Sequence, residues 1–208
     1  MAGPCAKSRA EALGKAPHED LRGDVDGDGA PDRIALVRLR GGRARCGAFL
    51  VVRTGSSTLV RPLATDVGPP VPVLNGLARI GSASRLRIVI TTVEGASTAF
   101  AHVFAVDGSR ILELPIRGPD AGGFAYWGSV THYGGVDCVK DRPGLILEET
   151  FSSLASSRQQ LYRNYYRLQG GRFELARKEV IKRITRALRR SSRGEEPFPS
   201  CMRVRAAS

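Results

Sequence analysis

Asp24, Asp26, Asp28 and Asp32 fall at positions 1, 3, 5 and 9 of the stretch Asp-Val-Asp-Gly-Asp-Gly-Ala-Pro-Asp. Carboxylates this close repel one another unless a cation neutralises them. Hard divalent cations such as calcium collect about six to eight oxygen ligands, and alternating Asp loops supply them. Gly29 at position 6 permits the sharp turn, and the Ala30 carbonyl at position 7 adds a ligand. Position 12, where an EF-hand carries a bidentate Glu, is Ala35, so Asp32 must take that role. The reading is a calcium loop made by Asp24, Asp26, Asp28, Ala30 and Asp32. The alternative is an acidic Asp-Gly turn without metal.

The residues after the loop argue against an EF-hand. Arg33–Leu39 is a short apolar run bounded by turn signals, which suits a strand better than a helix. Together the loop and strand resemble the Asp-x-Asp-x-Asp-Gly-x-x-Asp loop of FG-GAP/VCBS-type repeats, known from integrin-α-like β-propellers. Phe49–Thr54, Gly95–Phe100 and Phe198–Cys201 extend the likeness to small exported proteins of GC-rich bacteria that carry one such loop and then degenerate repeats. The resemblance implies repeated β meanders and a structural calcium, and it brings no activity with it.

A chain of 208 residues, 42% hydrophobic and 25% charged, has the composition of one soluble globular domain with a tail. No run approaches the roughly 18 apolar residues of a membrane span. The net charge of +12 comes from 27 Arg against 5 Lys. Arg-rich composition of this kind also follows from a GC-rich genome, so it is weak support for nucleic acid.

From Gly23 onward the chain repeats a pattern. The first unit runs through Arg33–Leu39, Cys46–Arg53 and Thr58–Leu63, and ends in the proline-rich connector Gly68–Pro72. The second takes Gly76–Gly81, Leu86–Thr92 and Phe100–Val106, then the Asp107-Gly108 turn and Ile111–Ile116. The third takes Leu145–Glu149, Gln160–Leu168, the turn at Gly170-Gly171, and Arg172–Ala176. Ile34, Ile88 and Ile146 hold equivalent places, 54 and 58 residues apart, a period suited to blade-like antiparallel meanders. The expected fold is all-β: three antiparallel meander repeats over 21-67, 76-118 and 124-176, β-propeller-like or an incomplete propeller. A β-sandwich or barrel is the alternative. Residues 1-20 form a flexible or loosely helical lead-in. In the basic segment 177-208, Val180, Ile184 and Leu188 could line one face of a short helix.

The remaining candidates are weaker. Phe124–Tyr133, with Tyr126, Trp127, His132 and Tyr133, could line a ligand pocket or simply cap a sheet edge, and His132 is the base of an alternative hydrolase reading. His102 lies within a strand pattern and reads as a packed or surface histidine. Glu148 and Glu149 are adjacent on a strand, so they face opposite sides and form no acid/base dyad. Arg186, Arg189 and Arg190 could bind an anionic polymer, but the absence of aromatics among them argues against nucleic acid. Cys5, Cys46, Cys138 and Cys201 contain no Cys-x-x-Cys pair and suit disulfides. Of the three connectivities, Cys5 with Cys46 and Cys138 with Cys201 are preferred, because they tie each terminal segment to its neighbouring repeat.

The sequence therefore points to a non-enzymatic, calcium-stabilised binding or structural protein, secreted or at the cell surface, whose partner is an envelope polymer or another protein. The first 20 residues hold no apolar export signal, so export requires one upstream of Met1. A cytoplasmic chain with reduced cysteines is the alternative.

Overall fold

Along Asp32–Arg38 both faces of the strand are apolar: Ile34 and Leu36 point one way, Ala35 and Val37 the other. Such a strand must be covered on both sides, and the same holds for Ala48–Arg53 and for the centre of the chain. The computed structural model describes residues 5–39, 46–63, 72–81, 85–94, 98–117, 122–126, 132–142, 144–153, 159–182 and 196–206. Among them it forms a helix, α1 (Ala6–Gly14), and three antiparallel sheets, none of which closes into a barrel.

The first sheet is the meander β1 (Glu19–Gly23), β2 (Asp32–Arg38), β3 (Ala48–Arg53) and β4 (Thr58–Leu63). The middle sheet runs through β5 (Val73–Ala78), β6 (Arg87–Glu94), β7 (Thr98–Asp107) and β8 (Arg110–Glu113), with β9 (Phe124–Tyr126) also paired to β7. The third is the meander β10 (His132–Cys138), β11 (Leu145–Ser153), β12 (Gln159–Gln169) and β13 (Arg172–Ile181). Ile34, Ile88 and Ile146 lie on β2, β6 and β11, and all three are buried. The last strand, β14 (Met202–Arg205), returns to pair with β5 at the edge of the middle sheet.

Three cores follow from this layering. The helix covers the outer face of the first sheet, where Ala12 packs with Ala35, Val37, Phe49 and Val51. A nine-residue helix is marginal by itself, and Cys5–Cys46 pins it to the sheet. Between the first and middle sheets lie Ile34, Leu36, Leu50, Ile88, Ile90 and Phe104. The opposite parity of β6 and β7, Val89, Ala99, Ala101, Val103 and Ala105, packs with residues of the third sheet and with Phe124 and Phe198. The three small alanines leave room for the rings of Tyr166, Phe173 and Phe198, each edge-on to Phe124 with centroids 4.9 to 5.5 Å away. Each fully buried large side chain in these layers contributes about 1.5–3 kcal/mol.

The tail is stitched to two sheets. Phe198 donates its N–H to the Val136 carbonyl, and Asp137 accepts the Ser200 N–H at 2.8 Å and the Ser200 hydroxyl at 2.6 Å. Cys138–Cys201 bonds the same two segments covalently. Phe198 itself has φ +57, a left-handed conformation that costs a side-chain-bearing residue about 1–2 kcal/mol and is held here by its fully buried ring. At Gly76 a Cβ would run into the Val204 carbonyl oxygen, so glycine is what lets β14 dock.

The lead-in, expected to be flexible or loosely helical, carries α1 and the start of β1, and the helix hides the outer apolar face of the first sheet. One expectation is corrected. The helix expected from Arg177 does not begin there: β13 continues to Ile181, with Arg177 opposite Tyr165 and Val180 opposite Tyr162. A register shift at Tyr165/Tyr166 lets β12 continue to supply partners up to Leu161, and that ladder outweighs a weak helical stripe. Ile184 and Leu188 lie outside the described residues, as does most of the proline-rich connector.

Replacing Cys138 and Cys201 together by serine opens a loop with a sequence separation of 63 and should lower the unfolding free energy by about 4 kcal/mol. Urea unfolding of the two proteins measures it. A loss below about 1 kcal/mol would mean that β14 and Phe198 hold the tail without the bridge.

Candidate metal centre

The acidic loop connects β1 to β2, whose ladder closes with the pair Gly23↔Asp32. Between those residues the backbone is organised by its own carboxylates. Asp32 accepts the N–H of Val25 at 2.9 Å and of Asp26 at 3.3 Å. Asp24 accepts Gly27 at 2.6 Å and Gly29 at 3.2 Å. Asp26 accepts Asp28 at 3.1 Å, and Asp28 accepts Ala30 at 2.7 Å. Every N–H from Val25 to Ala30 thus has an aspartate acceptor, and Pro31 has none to offer. Gly27 and Gly29 turn the chain at φ +91 and +88, where a side chain would be strained.

The loop is fixed at the joint of two sheets. Val25 is fully buried in the core between the first and middle sheets, and the Asp24 carbonyl accepts the Leu86 N–H at 2.9 Å. Gly23 lies so close to Leu77 and Leu86 that a Cβ would meet their side chains at 2.5 and 3.0 Å.

Three of the five expected ligands converge. Asp24, Asp26 and Asp28 each place a carboxylate oxygen within 4.8 Å of the others, and among the described residues no lysine or arginine pairs with them. Asp32 has a different place. It is 2% exposed, and its Oδ2 is taken up by the two loop N–H groups. Burial raises its pKa, as do the charges of Asp26 and Asp28, against the two N–H bonds that lower it. The donor set is all oxygen, the kind a hard cation takes: Asp24, Asp26 and Asp28 converge, while Asp32 holds the loop in shape.

Of the four aromatic-loop candidates, Tyr126 is the one whose side chain is described. That side chain is buried in the core beside the third sheet, and its hydroxyl donates to Thr91 Oγ1 at 2.6 Å, while Thr91 donates to Asn75. Burial pushes its phenol up from the usual value. The reason is pairing: β9 lies against β7 with Tyr126 opposite Ala99, which turns the ring inward. Trp127 lies outside the described residues, as do Arg186, Arg189 and Arg190. His132 and Tyr133 open β10, and their side chains are likewise outside the description. Glu148 and Glu149 do face opposite ways, Glu148 towards Asn164, Tyr166 and the Ala125 N–H, Glu149 towards Arg163.

His102 is more than a packed histidine. Its Nε2 lies 2.9 Å from Thr92 Oγ1 and its Nδ1 2.9 Å from Glu113 Oε1. Arg61 of the first sheet takes Glu113 Oε2 at 3.1 Å and lies over the Phe104 ring. The hydroxyl, imidazole and carboxylate follow the order of a nucleophilic triad, and through Arg61 the array also ties two sheets together. Pairwise spacing could not reveal it, since Thr92, His102 and Glu113 meet diagonally across three strands. A separate cleft of about 560 Å³ opens beside β5 and β14, lined among others by His18, Glu19, Asn75 and Arg205. Comparison with protein-family models, with curated proteins and with solved structures finds no match to this chain.

Two outcomes follow. Asp32→Ala leaves two loop N–H groups without an acceptor and should cost about 1–3 kcal/mol in urea unfolding, whereas Asp32→Asn keeps an oxygen there and should cost less than half as much. The second concerns Glu113, whose pKa is lowered below 4.5, first by the His102 hydrogen bond, then by the charges of His102 and Arg61, with burial opposing. A lowered carboxylate pKa stabilises the fold above the ordinary value, and that contribution is lost as pH falls through the folded value. Urea unfolding below about pH 4.5 should therefore show a loss that Glu113→Gln flattens.

Proposed function

We propose that this chain is a non-enzymatic, calcium-stabilised binding or structural protein of the cell exterior, with calcium held by Asp24, Asp26 and Asp28. The observation that carries the reading is the convergence of three carboxylates with no described cationic side chain paired to them. An all-oxygen donor set of this kind suits calcium, with the Ala30 carbonyl as a further ligand and Asp32 as the buttress of the loop.

The metal's role is structural. Bound calcium supplies charge neutralisation, and this chain's residues do the rest: Val25 anchors one end of the loop in a core, and the Asp24 carbonyl ties it to Leu86. Relieving carboxylate repulsion there steadies the joint between the first and middle sheets. We read the three sheets as an incomplete run of propeller-like blades, of which the first alone keeps its acids. Two disulfides agree with an oxidising compartment, where calcium is abundant. No described helix is long and apolar enough to cross a membrane. The partner in this reading is an envelope polymer or another protein.

Thermal melting with calcium and with chelator tests the proposal. At a calcium concentration about 100-fold above its Kd the stabilisation should be near 2.7 kcal/mol, a shift of about 5 °C or more for a chain of this size. Asp28→Ala should abolish that shift while changing the chelated protein only slightly, because the Ala30 N–H it releases is exposed to water. Equal melting of the wild-type protein in calcium and in chelator would defeat the calcium reading.

A further inference from the structure

Arg87 opens β6 and is only 6% exposed. It lies opposite Ala78 of β5, and strand alternation puts it on the same face as Val89 and Thr91. Val89 and Ala78 belong to the core between the middle and third sheets, so the guanidinium sits at the margin of an apolar layer. Its Nε and Nη1 are sealed from solvent and make no hydrogen bond.

The other half-buried arginines each have a partner. Arg38 pairs with Glu19 and donates to the Pro72 carbonyl, although its Nε is also buried without a hydrogen bond. Arg61 pairs with Glu113 and donates to the Ile111 carbonyl. Arg163 pairs with Glu149. Arg85, two residues before Arg87, donates to the Val106 carbonyl. For Arg87 no carboxylate or carbonyl among the described residues plays that part, and its charged form is disfavoured first by burial and then by the like charge of Arg85.

A buried charge without a partner costs several kcal/mol, and an arginine does not escape by giving up its proton. The missing element is negative charge with acceptor oxygens, and no described residue supplies it. The guanidinium fork pairs Nη2 with either Nε or Nη1, so an oxyanion with two oxygens on one carbon or phosphorus atom can engage at least one of the two unpaired donors. We infer that Arg87 anchors a binding site for a small oxyanion, a carboxylate or phosphate group, at the margin between the middle and third sheets. Arg85 adds positive potential to that site, and the anion relieves the repulsion between the two arginines as well as satisfying the buried donors. The site is separate from the acidic loop, which attracts the opposite charge.

The experiment is thermal melting in chelator, with sodium phosphate, sodium acetate or sodium chloride at matched ionic strength. The wild-type protein should melt several degrees higher in phosphate or in acetate than in chloride, and whichever acts at the lower concentration identifies the source of the oxygens. Arg87→Met should lose that response yet melt no lower than wild type in chloride, because a buried unpaired charge has been replaced by an apolar chain of similar length. Arg87→Lys, which keeps the charge but not the fork, should need at least tenfold more anion for the same shift. Arg85→Gln should weaken the response several-fold. The inference is overturned if wild type melts alike in all three salts, or if Arg87→Met or Arg87→Lys responds as wild type does.

Discussion

The middle sheet is buried on both faces, and the rest of the molecule is arranged around that constraint. Ile88, Ile90, Phe104 and Val106 must be covered on one side, Val89, Ala101, Val103 and Ala105 on the other. Neither flanking sheet could be removed without exposing a row of aliphatic side chains to water. The two interfaces differ in kind. Towards the first sheet the contact is branched aliphatic against branched aliphatic. Towards the third it is small against large, with alanines on β7 receiving a cluster of aromatic rings.

The polar features gather where these layers meet, and each has a mechanical reading. The acidic loop bridges the first and middle sheets through Val25 and Asp24. Glu19 of β1 accepts the Leu74 N–H of β5 at 2.7 Å and pairs with Arg38. Arg61 reaches Glu113 and through it His102. On the other side Asp137 and Phe198 hold the tail to the third sheet while β14 holds it to the middle one. Within this pattern Arg87 is the exception, a charge placed at a joint with nothing described to join.

Much of the fold was legible because it is local. The turns at Asp107-Gly108 and Gly170-Gly171 are made where the residues announce them, with Gly108, Gly170 and Gly171 all at positive φ. Thr58–Leu63 begins and ends where its apolar run does. The isoleucine spacing marked β2, β6 and β11, one strand in each sheet. What escaped was non-local. In β1 only Leu21 is buried, so five residues dominated by charge carry almost no strand signal. In β14 alternate residues are exposed, and its partner is a distant strand whose identity no spacing encodes. In the acidic loop the spacing puts four carboxylates in one short turn, but it could not say that Asp32 would turn inward to cap two N–H groups.

The pairing of β14 with β5 also sets an order of events. The first sheet is assembled from neighbouring segments between Glu19 and Leu63, so its hairpins can form while later residues are still being synthesised. The middle sheet is different, since its edge beside β5 is completed only by Met202–Arg205. Until those residues arrive, β5 offers an unpaired edge and the rings around Phe124 lack Phe198. Closing so long a loop is slow, and an open strand edge on an otherwise apolar layer invites association with other chains. Completion of the middle sheet therefore waits on Met202–Arg205, and nascent chains stalled before those residues are the species most in need of a chaperone.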